Sequence, residues 1–157
     1  MGNEELKSKI TELLASATFE EGGDPMAIGW LNIVIAPADW LPFAKQLRHD
    51  DLLQFDFLFC VTCIDWKTHL TMVYHLRSTN FRHDIVVKAT LDRNQPDIQS
   101  VADIWKTAIF HERECYEMFG VNFLNHPDLR LLILPDGWEG RNPMRKDYED
   151  EVNMIRL

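Results

Sequence analysis

Three runs of alternating side chains dominate the middle of the chain: FDFLFCVTCIDW (55–66), HLTMVYHLRS (69–78) and HDIVVKATLD (83–92). Successive residues of a strand point to opposite faces, so period two repeated three times reads as three strands, each with one side inward. The first places Phe55, Phe57, Phe59, Val61 and Cys63 together. The second sets Leu70, Met72, Tyr74 and Leu76 against Thr71, His75 and Arg77. The third sets Ile85, Val87, Ala89 and Leu91 against Asp84, Lys88 and Thr90. Consecutive runs of this kind predict an antiparallel meander with one face solvated.

Helical spacing flanks the runs. Leu6, Ile10, Leu13, Leu14 and Ala17 predict an amphipathic helix behind an Asn3 cap, broken by EEGGDP at 20–25. WLNIVI (30–35) reads as a strand, and 39–48 as a helix with Leu41, Ala44 and Leu47 on one side. Ser100 with Asp103 resembles a capping box, opening a helix with a Val101, Ile104, Ala108, Ile109 stripe. A further helix is expected to end at Gly120. The order α-β-α-β-β-β-α-α predicts an α+β fold: a mixed, largely antiparallel sheet with helices packed on one face. At 157 residues this makes one domain, expected over 1–134, followed by an extended tail over 135–157.

That tail, PDGWEGRNPMRKDYEDEVNMIRL, holds two glycines, two prolines and ten charged residues, with no apolar period. Such a segment does not bury enough surface to offset its ordering entropy unaided. Trp138, Met144, Tyr148, Met154 and Ile155 are spaced through it as candidate anchors for another surface; a frayed terminus is the plainer alternative.

A net charge of −9 argues against a binder of nucleic-acid phosphates. Three cysteines fit a reducing compartment better than a disulfide framework. The first residues, MGNEELKSK, lack the apolar stretch of a signal peptide. The longest charge-free run, 25–38, falls short of the ~20 residues a membrane helix needs. A soluble chain that meets a membrane only through partners is expected.

Candidate reactive groups are few. Cys60 and Cys63 form a CxxC inside a strand, where positions three apart face opposite ways, so packing thiols are expected there. HEREC (111–115) is one residue away from a zincin pattern, with His126 as a conceivable third ligand; a helix start with a buried thiol is the simpler reading. Glu112, Glu114 and Glu117 have the chemistry of acid–base catalysts, but no nucleophile elbow or phosphate loop accompanies them. Asp65 is expected to cap the turn into Lys67 and Thr68. Four cysteines for an iron–sulfur cluster are not there.

What stands out instead is charge in stiff geometry. Glu112, Arg113, Glu114 and Glu117 spread around a helix, with Arg113 and Glu117 spaced to pair. HPDLR presents His126, Asp128 and Arg130, and Arg145, Lys146 and Asp147 repeat the theme. Arginines of this kind suit interfaces, with ion pairs between the chain's own loops as the alternative.

These residues carry a resemblance. Glu112-Arg113-Glu114, Tyr116-Glu117-Met118-Phe119-Gly120, His126-Pro127-Asp128-Leu129-Arg130, Trp138-Glu139-Gly140 and Arg145-Lys146-Asp147-Tyr148 resemble the signature of the 30 kDa subunit family of respiratory complex I, the NADH–quinone oxidoreductase. The likeness is dense over residues 110–148. Three departures stand in it: Gly140-Arg141-Asn142-Pro143 carries one extra residue, Leu131 replaces a usual basic residue, and Glu149 stands where proline is common.

The resemblance implies a cofactor-free, non-catalytic accessory subunit in the peripheral arm, on the cytoplasmic side of the inner membrane. FMN, Fe–S clusters and quinone belong to partner subunits, and the expected partners are the large quinone-module subunit and neighbouring Fe–S subunits. Glu112, Arg113, Glu114, His126, Asp128, Arg130, Trp138, Arg145, Lys146, Asp147 and Tyr148 are the expected interface. Rivals are the equivalent subunit of a membrane-bound hydrogenase or ferredoxin-fed reductase, a metal hydrolase using His111, Cys115 and His126, and a redox protein using Cys60 and Cys63.

Overall fold

The computed structural model describes residues 2–20, 29–150 and 152. The expected break at EEGGDP lies almost wholly outside these residues, as do the proposed anchors Met154 and Ile155.

Helix α1 (Asn3–Leu13) buries Leu6 and Ile10, one turn apart on one side. Gly2 rather than Asn3 caps it, with the Gly2 N–H donating to the Glu5 carboxylate. Asn3 is the first helical residue, and its amide reaches the Gly29 carbonyl instead. The helix ends at Leu13, short of the Ala17 that its apolar spacing implies. Residues 14–17 turn into β1 (Thr18–Phe19), which pairs antiparallel with β2 (Leu31–Ile35). A 3-10 turn (Pro37–Asp39) leads into α2 (Trp40–His49), which buries Trp40, Phe43, Ala44 and Leu47.

The three alternating runs form β3 (Phe57–Asp65), β4 (His69–Ser78) and β5 (His83–Asp92), an antiparallel meander as expected. β2 then joins β5 in parallel, giving the order β1-β2-β5-β4-β3. The inward sets of β4 and β5 are those the alternation predicts. The inward set of β3 is not. A bulge between Leu58 and Cys60 adds a residue, so Leu58, Val61 and Cys63 face the core while Phe57 faces out. The Trp105 indole N–H and the Thr107 hydroxyl donate to the carbonyls of Phe55 and Leu58 beside that bulge.

All three helices lie against one face of the sheet, in a single apolar cluster where Trp40 packs on Tyr74 and Trp105. The opposite face is less wet than predicted. Thr71, Val73 and Val86 on it are at most 8% exposed, and Trp30, Phe59 and His75 form an edge-on aromatic group there. Residues in central strands shield one another even on the side away from the helices.

Like β1, two further short strands lie outside the predicted elements. β6 (Asp97–Gln99) and β7 (Asn122–Leu124) pair in parallel and insert Ile98 and Phe123 into the core. Three-residue strands carry no period to detect. The helix expected from Ser100 does not form either: residues 102–107 run as turns, and only α3 (Ala108–Phe119) is helical.

Candidate functional site

Helix α3 is unusual in what it buries. Alongside Ala108 and Cys115 it encloses Glu112, Arg113 and Glu117, all at most 5% exposed. A buried charge is tolerated only when its hydrogen-bonding capacity is met, and the partners here come from two other stretches of the chain.

Glu112 faces the turn before the helix. Its carboxylate accepts the Val101 N–H at 2.9 Å and the Ser100 hydroxyl at 2.5 Å. Ser100 therefore does begin a capped turn, but the acid comes from Glu112, while the Asp103 side chain is 89% exposed. Burial pushes the Glu112 carboxyl up to about 7, against the hydrogen bonds from Ser100 and Val101 that pull it down. His126 stands 3.7 Å away without forming an ion pair. Its Nδ1 accepts the Asp128 N–H and its Nε2 donates to the Ile109 carbonyl, which requires a neutral ring. Burial holds the His126 pKa below the usual range.

Arg113 and Glu117, spaced to pair with each other, instead grip one segment side by side. Arg113 donates to the carbonyls of Arg130 (3.1 Å) and Leu131 (2.6 Å). The Glu117 carboxylate accepts the N–H groups of Leu132, Ile133 and Leu134 at 2.8–3.2 Å. Residues 130–134 belong to no helix or strand, so these side chains supply the partners a ladder would otherwise provide.

The C-terminal end of α3 holds the next stretch. Gly120 closes the helix at φ 74°, as expected, and a Cβ there would lie within 3 Å of the Asn142 side chain. Asn142, part of the longer Gly-to-Pro spacing, thus seats against a position only glycine fits. The Met144 N–H donates to the Met118 carbonyl and Arg145 Nε to the Phe119 carbonyl (2.6 Å), satisfying acceptors that a helix end leaves open. A cation at this end also suits the helix dipole.

Beyond α3 the chain reaches Asp65 at the end of β3. Asp65 caps its turn as expected, accepting the Lys67 N–H at 2.8 Å. It also accepts Arg93 through two nitrogens at 3.0 Å each and the Lys146 N–H at 2.9 Å. The Arg93 guanidinium, with these amides, holds the Asp65 carboxyl far below the usual carboxylate range. The same guanidinium binds Asp147, and the Lys146 ammonium stands over the Trp66 ring.

The expected interface residues divide accordingly. Glu112, Arg113 and the His126 ring point inward; Arg145 is half-buried on the α3 carbonyl. Glu114, Lys146 and Asp147 are exposed, as are Asp128 and Arg130, which pair with each other. Trp138 and Tyr148 are half-buried, Trp138 beneath the Arg141 guanidinium. Glu117 and Arg93 are absent from the expected interface; the Tyr-Glu-Met-Phe-Gly run is the available hint for the first, and Arg93 has none. The side chains turned outward along this surface include apolar ones: Phe110 (57% exposed), Leu132, Ile133 (62%) and Met144 (58%). The Phe110 ring lies 5.9 Å from the Arg113 guanidinium that holds residues 130 and 131.

The cysteine and histidine candidates occupy separate places. Cys60 pairs across the sheet with His75 and Cys63 with Met72, on opposite faces, and burial pushes the Cys63 thiol up to about 12. Cys115 approaches the Val61 carbonyl and His126 the Ile109 carbonyl. Among the described residues no group of three His, Cys, Asp or Glu is placed to hold a metal ion, and no helix is long and apolar enough to cross a membrane.

The family described as "Respiratory-chain NADH dehydrogenase, 30 Kd subunit" matches residues 33–152. The chain is 44% identical over 117 residues to the C/D subunit of the NADH-quinone oxidoreductase of Phocaeicola vulgatus, covering 69% of this chain and 22% of that one. It is 43% identical over 103 residues to the C subunit of the F(420)H(2) dehydrogenase of Methanosarcina mazei, covering 64% of this chain and 65% of that one. The chain thus spans less than two thirds of the length of either relative. Among solved structures, a chain of an archaeal respiratory membrane complex, the membrane-bound sulfane sulfur reductase, shares the fold with a TM-score of 0.78. That likeness covers 93% of this chain and 85% of that one at 24% identity. The match over residues 33–152 places the chain in the respiratory-chain NADH dehydrogenase 30 kDa subunit family.

Proposed function

We propose that this member of the 30 kDa subunit family is a non-catalytic, cofactor-free component of the peripheral arm of a proton-pumping NADH–quinone oxidoreductase. It holds the quinone-module subunits in register while electrons pass from NADH through FMN and Fe–S clusters, held by other subunits, to quinone. Its partners are the large quinone-module subunit and neighbouring Fe–S subunits, and it meets the cytoplasmic side of the membrane only through them. Proton translocation then falls to membrane-spanning partners.

One observation carries this reading. Glu112, Arg113, Glu117 and Arg145 have their hydrogen bonds taken up largely by the chain's own backbone, while Phe110 on α3 and Leu132, Ile133 and Met144 on the segments so held are turned outward. Outward apolar anchors on a backbone held by the chain's own charges are what a permanent partner surface needs. The charges act indirectly: they shape the surface, and the apolar side chains with Glu114, Asp128, Arg130 and Asp147 meet the partner.

The test is capture of the assembled complex through a tag on this chain. Ile133→Asp and Met144→Asp are expected to reduce recovery of the quinone-module subunit at least about tenfold, with the chain's own melting temperature unchanged. Equal loss of melting temperature and recovery overturns the reading. The likeness to the F(420)H(2) dehydrogenase protein supports a second reading, the same scaffold in a related machine fed by another donor. The input subunits recovered by the tag, and whether NADH reduces the assembly, separate the two.

A further inference from the structure

We propose that residues 142–148 form a strap that closes on the end of the sheet through Asp65, Arg93 and Asp147 and opens without unfolding the domain. This property belongs to the isolated chain and does not depend on which complex it joins.

Three features place the strap. It crosses the end of α3, where the Met144 N–H and Arg145 Nε bond to the Met118 and Phe119 carbonyls. It then meets the ends of β3 and β5, where Asp65 takes the Lys146 N–H and Arg93 takes Asp147. Asn142 against Gly120 and Lys146 over Trp66 are its remaining contacts of note. No residue from 142 to 148 is fully buried, and Met144 projects outward. With only Pro143 and Tyr148 half-buried among its apolar side chains, the strap's hydrogen bonds and ion pairs offset little of the entropy of ordering it. The closed state is therefore poised against an open one.

The anchors on the domain side survive opening. Asp65 keeps Arg93 and the Lys67 N–H whether or not the strap is present, so no unpaired charge is left in the core. Upstream, Glu117 and Arg113 hold residues 130–134 by contacts the strap does not share. Opening frees the Phe119 carbonyl, the Trp66 ring and the outer side of Arg93 together, so a partner that engages any of them competes directly with the strap.

Amide hydrogen exchange on the full chain tests this. In the wild type, Met144 and Lys146 are expected to show modest protection, falling as salt is raised, far below that of Val73 and Val87 in the sheet. Asp147→Lys places two cations together and is expected to lower protection at Met144 and Lys146 by about tenfold, with Val73, Val87 and Ile133 unchanged. Protection of Lys146 equal to that of the sheet amides, or its indifference to Asp147→Lys, overturns the proposal. A matching loss at Val73 also overturns it, because the strap would then be part of the domain's cooperative unit.

Discussion

Between Leu31 and Phe123 the chain places one large side chain after another in a single apolar cluster, with Trp40, Phe55 and Tyr74 fully buried. From Leu124 to Asp150 only the His126 ring is enclosed and Leu129 packs partly on the core, and order comes from Glu117, Arg113, Arg145, Asp65 and Arg93 gripping backbone and charge. The first region is stabilised by area, which is additive and tolerant of small changes at its margins. The second hangs on a few directional contacts, each of which controls several residues at once. A chain built this way keeps a robust domain and an adjustable outer segment, since weakening the second does not dissolve the first.

The sharpest way to break the comparison is to damage the region held by area. Phe55→Ala is expected to cost about 3–5 kcal/mol in urea unfolding, with protection of the Ile133 amide falling together with that of Val87, because the carrier fails. Retained order at residues 132–134 in that variant would show the outer segment to be independent.

Next in size is the pH dependence set by Glu112. Its carboxyl titrates near 7 in the fold against 4.5 for the free group, so the folded state holds the proton more firmly. Its stabilising contribution is fully present below pH 4.5 and is lost as pH rises through about 7, a change on the order of 3 kcal/mol. His126 works in the opposite sense: with its pKa lowered from 6.5, stability is complete above 6.5 and declines as pH falls below it. The unfolding free energy of Glu112→Gln relative to wild type therefore isolates the first effect, and is expected to shift in favour of the variant between pH 4.5 and 7. A pH-independent difference would mean that the carboxyl is not desolvated.

Glu117→Ala sharpens the comparison from the other side. The N–H groups of Leu132, Ile133 and Leu134 lose their acceptor, and a cost of about 2–3 kcal/mol is expected. Exchange should rise at residues 132–134 while Val73 and Val87 hold. Smallest of all is Met144→Ala, expected to stay within about 0.5 kcal/mol of wild type in unfolding, since the side chain is exposed. Its effect is expected in partner capture instead. Arg130→Ala is of the same kind, its guanidinium being 69% exposed and paired only locally with Asp128.

Much of the domain was legible because its signals are local and periodic. The β4 and β5 faces, the α1 and α2 stripes and the Gly120 cap follow from side-chain spacing and the φ that glycine allows. What failed was nonlocal or aperiodic. The bulge at Leu58 and Cys60 reversed the phase of Phe57 and Phe59, and no count of alternation reveals an inserted residue. Ser100 found its acid at Glu112, in the following helix, rather than at Asp103.

The charged signature shows the same limit most clearly. Its density and residue types mark residues 112–148 as the stretch that carries the family likeness, and the family follows from them. Which charges face inward was decided only when α3 packed beneath residues 130–134 and Asp65 met Arg93 across the sheet end. An arginine or glutamate reads alike in sequence whether it pairs with a partner, a neighbour or a bare carbonyl. Spacing along the chain determined the elements; burial, which depends on what the rest of the fold lays over each side chain, decided the role of every charge.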